Sequence, residues 1–236
     1  MHDSTCTNPA IVLVGASRGL GLAMTAEFAK RGWDVVGTVR GTARTGLHDL
    51  ADRLPEQITV QSADITDTGQ LLALRERLAS RRFDALFINA GTVNQNPNET
   101  IAEASPDEFV HVMVTNALAP MRAIEALAGL VTESGLIGAM SSGQGSVSNN
   151  TQGGRELYRG SKAALNMFMR SYAARHAGSP RPFLLMAPGW IRTELGGPHA
   201  PFTLAQTVPD IVNVIIDKRG RPGLEYLDRH GKAVAW

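Results

Sequence analysis

The chain has 236 residues, 43% apolar and 19% charged, enough for one α/β domain with a sizeable core or two small ones. A formal net charge of +1 gives no electrostatic reason to expect nucleic acid or an acidic membrane as a partner. Cys6 is the only cysteine, so no internal disulfide can form; with no secretory pattern at the start and no stretch near the roughly 18 apolar residues of a membrane span, a cytoplasmic location is expected.

Residues 1–9 are polar and read as a disordered N-terminal tail, and residues 10–236 read as one domain, without a Pro/Gly/Ser-rich linker or an internal repeat. Residues 10–14 form an apolar run of buried-strand length. Gly15-Ala16-Ser17-Arg18-Gly19-Leu20-Gly21 follows and opens a helix to about residue 31. Glycines in such a turn let backbone approach a pyrophosphate seated at the positive helix N-terminus. The first two glycines are spaced more widely than in the common dinucleotide fingerprint. The second strand covers residues 34–39 and ends Gly37-Thr38-Val39-Arg40. The acid that usually meets the adenosine ribose at this strand end is missing, since Asp34 lies at the opposite end. Arg18 and Arg40 would instead welcome a 2′-phosphate, which argues for NADP(H) over NAD(H).

Residues 58–61 make a third strand, Thr66 or Asp67 opens a helix to about residue 80, and residues 84–88 make a fourth strand. Arg75, Arg77, Arg81 and Arg82 gather near that helix's end, where cations suit the dipole, and read as a solvated terminus. Ser105-Pro106-Asp107-Glu108 combines a Ser cap, a Pro at the first position and a Glu three after the cap, starting a helix to about residue 130. A fifth strand covers 136–140, a helix runs from Tyr158 to about 176, and a sixth strand covers 183–186. Thr203-Leu204-Ala205-Gln206 opens a helix with apolar Val208, Ile211, Val212 and Ile215, and residues 224–227 are the last strand. Strand–helix alternation predicts an α/β Rossmann-type fold: a doubly wound parallel sheet of about seven strands with helices on both faces.

Tyr158 and Lys162 stand four apart and so share one helix face, one turn apart. An ammonium beside a phenol favours the phenolate, so the tyrosine pKa is expected below its ordinary value of about 10. Such a group donates or accepts a proton near neutral pH.

In order along the chain, these motifs resemble those of the short-chain dehydrogenase/reductase family in its single-domain form, from residue 10 to residue 236. Its Gly-rich turn is matched by Gly15, Gly19 and Gly21, with Ser17, Arg18 and Leu20 between them, and its adenine-side acid by Asp64, followed by Ile65. Its strand-end turn is Asn89-Ala90-Gly91, and its helix asparagine is Asn116. Its serine is Ser142, with Ser141 a rival one residue away. Its Pro-Gly turn and following Thr are Pro188, Gly189, Trp190, Ile191 and Thr193. The stretches 158–166, 188–190 and 196–198 look most similar to the C-factor-like and sniffer-like carbonyl reductases.

The resemblance implies hydride transfer between nicotinamide and a carbonyl or alcohol carbon of a small molecule, with NADP(H) as cofactor and no metal. Tyr158 would protonate the developing alkoxide, and Lys162 would hold the tyrosine pKa down and bond the nicotinamide ribose. Ser142 would hydrogen-bond the substrate oxygen, and Asn116 would hold a water linking Lys162 to solvent. Each has a plainer alternative: Asn116 as a buried backbone clamp, Ser142 as a turn residue, Thr193 as a helix cap. Fifteen residues separate Ser142 from Tyr158, a few more than the family pattern has. The insertion, which contains residues 149–155, is either a floppy surface loop or one wall of the substrate pocket, the second being the expectation. The short stretch 194–202 suggests an open pocket, with Trp190, His199 and Phe202 as candidate lining residues. Two other functions compete: a non-catalytic NADP(H)-binding regulator, and an epimerase or dehydratase, for which the 78 residues after Tyr158 leave little room. Relatives associate through the two long helices, so a homodimer or homotetramer is expected.

Overall fold

Seven apolar runs become strands: β1 (Ala10–Val14), β2 (Asp34–Val39), β3 (Ile58–Ser62), β4 (Phe83–Ile88), β5 (Val131–Met140), β6 (Pro182–Ala187) and β7 (Gly223–Asp228). In the computed structural model, which describes residues 8–236, they align as β3-β2-β1-β4-β5-β6-β7, every pairing parallel. Helices α1 (Gly19–Lys30), α2 (Gly46–Arg53), α3 (Thr68–Arg77), α4 (Pro106–Met113), α5 (Ala119–Leu127), α6 (Glu156–Arg175) and α7 (Leu204–Lys218) make the crossovers.

Both faces of the central strands are buried, which is why β1, β4 and β6 read as nearly continuous apolar runs rather than alternating ones. Val12 and Val14 of β1 join one core layer with Leu71 of α3, Ile124 of α5 and Met169 of α6. Their neighbours Ile11 and Leu13 join the other, with Phe28 of α1, Leu47 of α2 and Ile215 of α7. The chain is therefore a single Rossmann-type domain. Strand order reverses beside β1, and the crevice beyond the strands' C-terminal ends at that point is where ligands bind in such sheets.

The structure departs from the sequence expectations in four places. Helix α2 was not anticipated: Thr45 caps it, its N–H donating to His48 Nδ1 at 3.1 Å. The helix expected over 105–130 is interrupted by a π-helical turn at Val114–Leu118. Pro120 has no N–H to return to the Asn116 carbonyl four residues back, so the ladder widens there. Strand β5 starts at Val131, with a register irregularity between Phe83 and Ala85 of its partner. Asn8 and Pro9 are tied to β2, through Asn8 Nδ2 to Asp34 Oδ1 at 3.2 Å and Asp34 N to Pro9 O at 2.9 Å. The disorder expected for the rest of the tail, Cys6 included, falls outside the described residues. Among the described residues no helix is long and apolar enough to cross a membrane.

Candidate active site

β1 runs into Gly15, whose φ of 88° lies in the region glycine adopts without penalty. A Cβ there would meet Ala90 N at 2.7 Å, so glycine alone lets the ends of β1 and β4 meet. Gly15 N donates to Thr38 Oγ1 at 2.9 Å, and Asn89 Nδ2 donates to Gly15 O at 2.8 Å. A Cβ on Gly21 would lie 2.1 Å from Gly15 O. The Cβ position of Gly19 is 3.7 Å from Thr193 Cγ2, so the first turn of α1 looks across at the segment after β6. Arg18 makes no side-chain cap and no acid stands in that first turn. Its N–H groups and positive dipole end thus face a backbone-walled cradle.

This cradle fits the pyrophosphate of a dinucleotide. Arg40 is exposed at the end of β2 and has no carboxylate partner among the described residues. Arg18 instead reaches Glu194, Nε to Oε2 at 3.1 Å, with both side chains largely exposed. Ser17 and Leu20 are partly buried in the turn. Beyond β3, the Asp64 carboxylate accepts from Thr66 N and Oγ1 at 2.8 and 2.7 Å, and Ile65 is buried beside it.

Strand β5 ends at Met140, and the next two serines diverge. Ser141 Oγ donates to Asn166 Oδ1 at 2.6 Å and is buried. Ser142 lies near enough to Tyr158 to pull its pKa down, and its Oγ accepts from Gln144 N at 3.1 Å. Of the rival pair, Ser142 is the one brought to the tyrosine.

Tyr158 and Lys162 occupy consecutive turns of α6, both buried. Burial raises the Tyr158 pKa above its ordinary value of 10.0, against the downward pull of Ser142's hydrogen bond and Arg155's charge. The expected lowering by Lys162 is thus overturned. The Lys162 ammonium sits 5.9 Å from the Tyr158 ring centroid and donates to the Met140 carbonyl at 2.9 Å. Burial lowers its own pKa from 10.5 to about 8.

The π-helical turn aims Asn116 at this centre. Its Nδ2 donates to Thr92 O at 2.9 Å and Ser161 Oγ at 3.0 Å, and its Oδ1 accepts from Thr92 N at 2.8 Å. Ser161 Oγ in turn donates to Tyr158 O at 2.8 Å. The amide therefore clamps the turn after β4 to α6. The Cβ position of Gly91 lies 3.3 Å from Asn116 Oδ1 and 3.5 Å from Lys162 Nζ, a methyl-sized space touching both.

Asn166 and Tyr226 escaped the sequence reading. Asn166 Nδ2 donates to Gly145 O at 3.1 Å, and the Tyr226 hydroxyl donates to the Ser142 carbonyl. Asn166 stands four after Lys162, a spacing that places it on the same face; nothing local marked Tyr226. The Pro188-Gly189 turn follows β6, with Gly189 at φ 91° against the Arg229 guanidinium. Trp190 is half exposed, its Nε1 donating to Gly196 O at 2.6 Å, and Ile191 is buried in a bridge to Phe202. Thr193 Oγ1 accepts from Gly196 N at 3.1 Å. Arg229 covers the Phe202 ring, while His199 is exposed. Between the serine and the helix, residues 149–154 are exposed, and Arg155 lies over the Tyr158 ring, 5.2 Å from its centroid. No cluster of three or more potential metal ligands occurs among the described residues.

Residues 9–201 match the family model described as short chain dehydrogenase. A short-chain dehydrogenase/reductase from Burkholderia multivorans with bound NADP is 60% identical, with TM-score 0.96 over 97% of this chain and 100% of that one. Carbonyl reductase Sniffer of D. melanogaster is 25% identical, with TM-score 0.86 over 97% of this chain and 100% of that one. The 1-hydroxy-2-glutathionyl-2-methyl-3-butene dehydrogenase of Rhodococcus sp. (strain AD45) is 30% identical, covering 87% of this chain and 89% of that protein.

Proposed function

The chain belongs to the short-chain dehydrogenase/reductase family, and from that premise we propose that it is an NADP(H)-dependent carbonyl reductase with Tyr158 as its general acid. It is an oxidoreductase, and its cofactor is NADP(H): the glycine cradle fits the pyrophosphate, and the Burkholderia relative binds NADP. The observation that carries the finer reading is the buried Tyr158–Lys162 pair, with the ammonium 5.9 Å from the phenol ring and bonded at 2.9 Å to Met140 O, at the end of the strand that leads into Ser142.

Bound there, the cofactor supplies a hydride to the carbonyl carbon, and a proton on oxygen completes the alcohol. The chain's own groups position the oxygen and supply that proton. Ser142 holds the carbonyl oxygen by a hydrogen bond, which strengthens as negative charge develops. Tyr158, with its pKa raised by burial, remains a protonated phenol at neutral pH and donates to the same oxygen. Lys162 places its cation 5.9 Å from the Tyr158 ring and would reach the nicotinamide ribose. A water in the space bordered by Gly91, Asn116 Oδ1 and Lys162 Nζ would return the proton from solvent. Asn116 acts here as a positioning residue, through its clamp on Thr92 and Ser161.

Gly15, Ser17, Gly19, Leu20 and Gly21 would hold the pyrophosphate, Arg18 and Arg40 the 2′-phosphate, and Asp64 with Ile65 the adenine. Asn89, Ala90 and Gly91 border the ribose, and Pro188, Gly189, Trp190, Ile191 and Thr193 the nicotinamide side. The test is NADPH consumption with a panel of aldehydes, ketones and quinones. Tight NADPH binding with no turnover on any of them would replace this reading by that of an NADP(H) sensor.

Exposed Leu118 and Phe168 lie beside Met121, on α5, α6 and the turn between α4 and α5, and Met167 of α6 is exposed as well. We propose that a second copy covers this face, giving a homodimer or homotetramer. Light scattering that reports a monomer at micromolar concentration would remove this assignment.

A further inference from the structure

Arg155 immediately precedes α6 and is the only non-glycine residue with positive φ among those described, at 52°. It ends a left-handed run with Gly153 and Gly154, both at φ 67°. Glycine takes this conformation freely, while a residue with a Cβ is disfavoured there by sterics. The usual reasons for a polar residue at a helix start do not apply. Arg155 makes no side-chain cap bond, and arginine is not a favoured cap. No carboxylate lies within 4.0 Å of its guanidinium among the described residues.

The side chain is nevertheless held inward. Its guanidinium lies over the Tyr158 ring, 5.2 Å from the centroid. Its Nε is buried with no hydrogen-bond partner. Buried polar atoms without partners are few in a native fold, and each calls for a reason. Among the described residues three side-chain atoms have this property, and two belong to the segment joining Ser142 to Tyr158: Arg155 Nε and Gln144 Oε1. The Arg155 donor is the one of these that lies against the Tyr158 ring. The donor carries a full positive charge and a planar fork, which matches a carboxylate.

We propose that Arg155 is the specificity-determining residue of this site and selects carbonyl substrates that carry a carboxylate. The carboxylate pairs with the Arg155 fork while the carbonyl oxygen rests between Ser142 and Tyr158. This rests on the carbonyl reductase reading above and names its substrate class. The strained backbone keeps the guanidinium over the Tyr158 ring before substrate arrives, so little freedom is lost on binding.

The test compares 3- and 4-carboxybenzaldehyde with their methyl esters, which keep the aldehyde and remove the charge. Wild-type enzyme is expected to favour at least one acid over its ester by about tenfold or more in kcat/KM, as fits a charge-assisted hydrogen bond. Arg155→Gly should collapse that ratio toward one while the protein stays folded, because glycine suits φ 52°. Arg155→Lys should retain part of the ratio. Equal rates on acid and ester in wild type, or a preference that survives in Arg155→Gly, overturn the proposal while leaving the carbonyl reductase reading intact. Absence of turnover on both acid and ester pairs, and on the wider carbonyl panel, removes that reading and the proposal with it. NADPH affinity separates a cofactor contact from a substrate contact. A loss of NADPH binding in Arg155→Gly as large as the loss of acid preference reassigns the guanidinium to a cofactor phosphate and also overturns the proposal.

Discussion

The Lys162 ammonium donates to the carbonyl of Met140, the last residue of β5, at 2.9 Å. A buried cation thus ties the centre of α6 to the strand that delivers Ser142. Burial lowers the Lys162 pKa from 10.5 to about 8. Between these two values the unfolded chain holds a proton that the native state has released, so this group makes stability rise with pH across that window. Below about pH 8 its cost is fully present, and the gain across the window is about 3 kcal/mol. Urea unfolding of wild type and Lys162→Met near pH 7 and pH 10 isolates the effect. A pH-dependent gain no larger in wild type than in the variant would refute it.

The divergence of Ser141 and Ser142 separates two kinds of loss. Ser142→Ala should lower kcat by about 100-fold, as expected when a donor to developing charge is removed. Ser141→Ala breaks the bond to Asn166 and should instead appear as a stability loss of about 1 kcal/mol. Kinetics and thermal melting of both variants decide it, and a larger kcat loss in Ser141→Ala would reverse the assignment.

Tyr158→Phe keeps the ring and removes the acid. Turnover should fall by about 1000-fold or more while the NADPH dissociation constant moves by no more than about threefold. Retained activity would take the proton-donor role away from Tyr158.

Gly91→Ala places a methyl group 3.3 Å from Asn116 Oδ1 and 3.5 Å from Lys162 Nζ. Gly91 is exposed and its backbone is not in the left-handed region, so the fold should tolerate the change once Asn116 Oδ1 yields by a few tenths of an ångström. A water path through that space should not, and kcat is expected to drop about tenfold with melting temperature nearly constant. Unchanged kcat and solvent isotope effect would rule the path out.

Arg40→Ala should narrow the preference for NADPH over NADH by about tenfold, since a single guanidinium–phosphate contact is lost. Fluorescence titration of both cofactors gives the ratio directly. An unaltered ratio would take the phosphate contact away from Arg40 and leave it to Arg18 alone, whose side chain pairs with Glu194.

The sheet was legible because its central strands are buried on both faces: β1, β4 and β6 carry nearly unbroken apolar runs, and the Ser105, Asp67 and Thr203 caps mark helix starts. Helix α2 stayed hidden because its capping partner is His48, not the acid or amide that a capping box normally shows. The π-helical turn needed the link between Pro120 and the Asn116 carbonyl, which hydrophobic pattern does not report. Choosing between Ser141 and Ser142 required their side-chain directions beyond the end of β5, and only one direction leads to Asn166. The Tyr158 pKa was misjudged because spacing alone places a lysine nearby but does not show that both groups are buried. Arg155 sits three before Tyr158 but just outside α6, and neither its left-handed backbone nor its unpaired Nε is visible in the sequence.

The position of β1 at the centre of the sheet has a cost in time. It pairs on one side with β2, which follows closely, but on the other with β4, where Ile11 meets Ala85. The site is built across that second pairing, through Gly15 and Ala90. The nascent chain must therefore carry an unfinished, strongly apolar central strand until more than a third of its length has emerged. Such non-local parallel pairing folds slowly and exposes sticky surface meanwhile. Refolding yield should accordingly fall with protein concentration, and the ability to bind cofactor should be among the last properties to return.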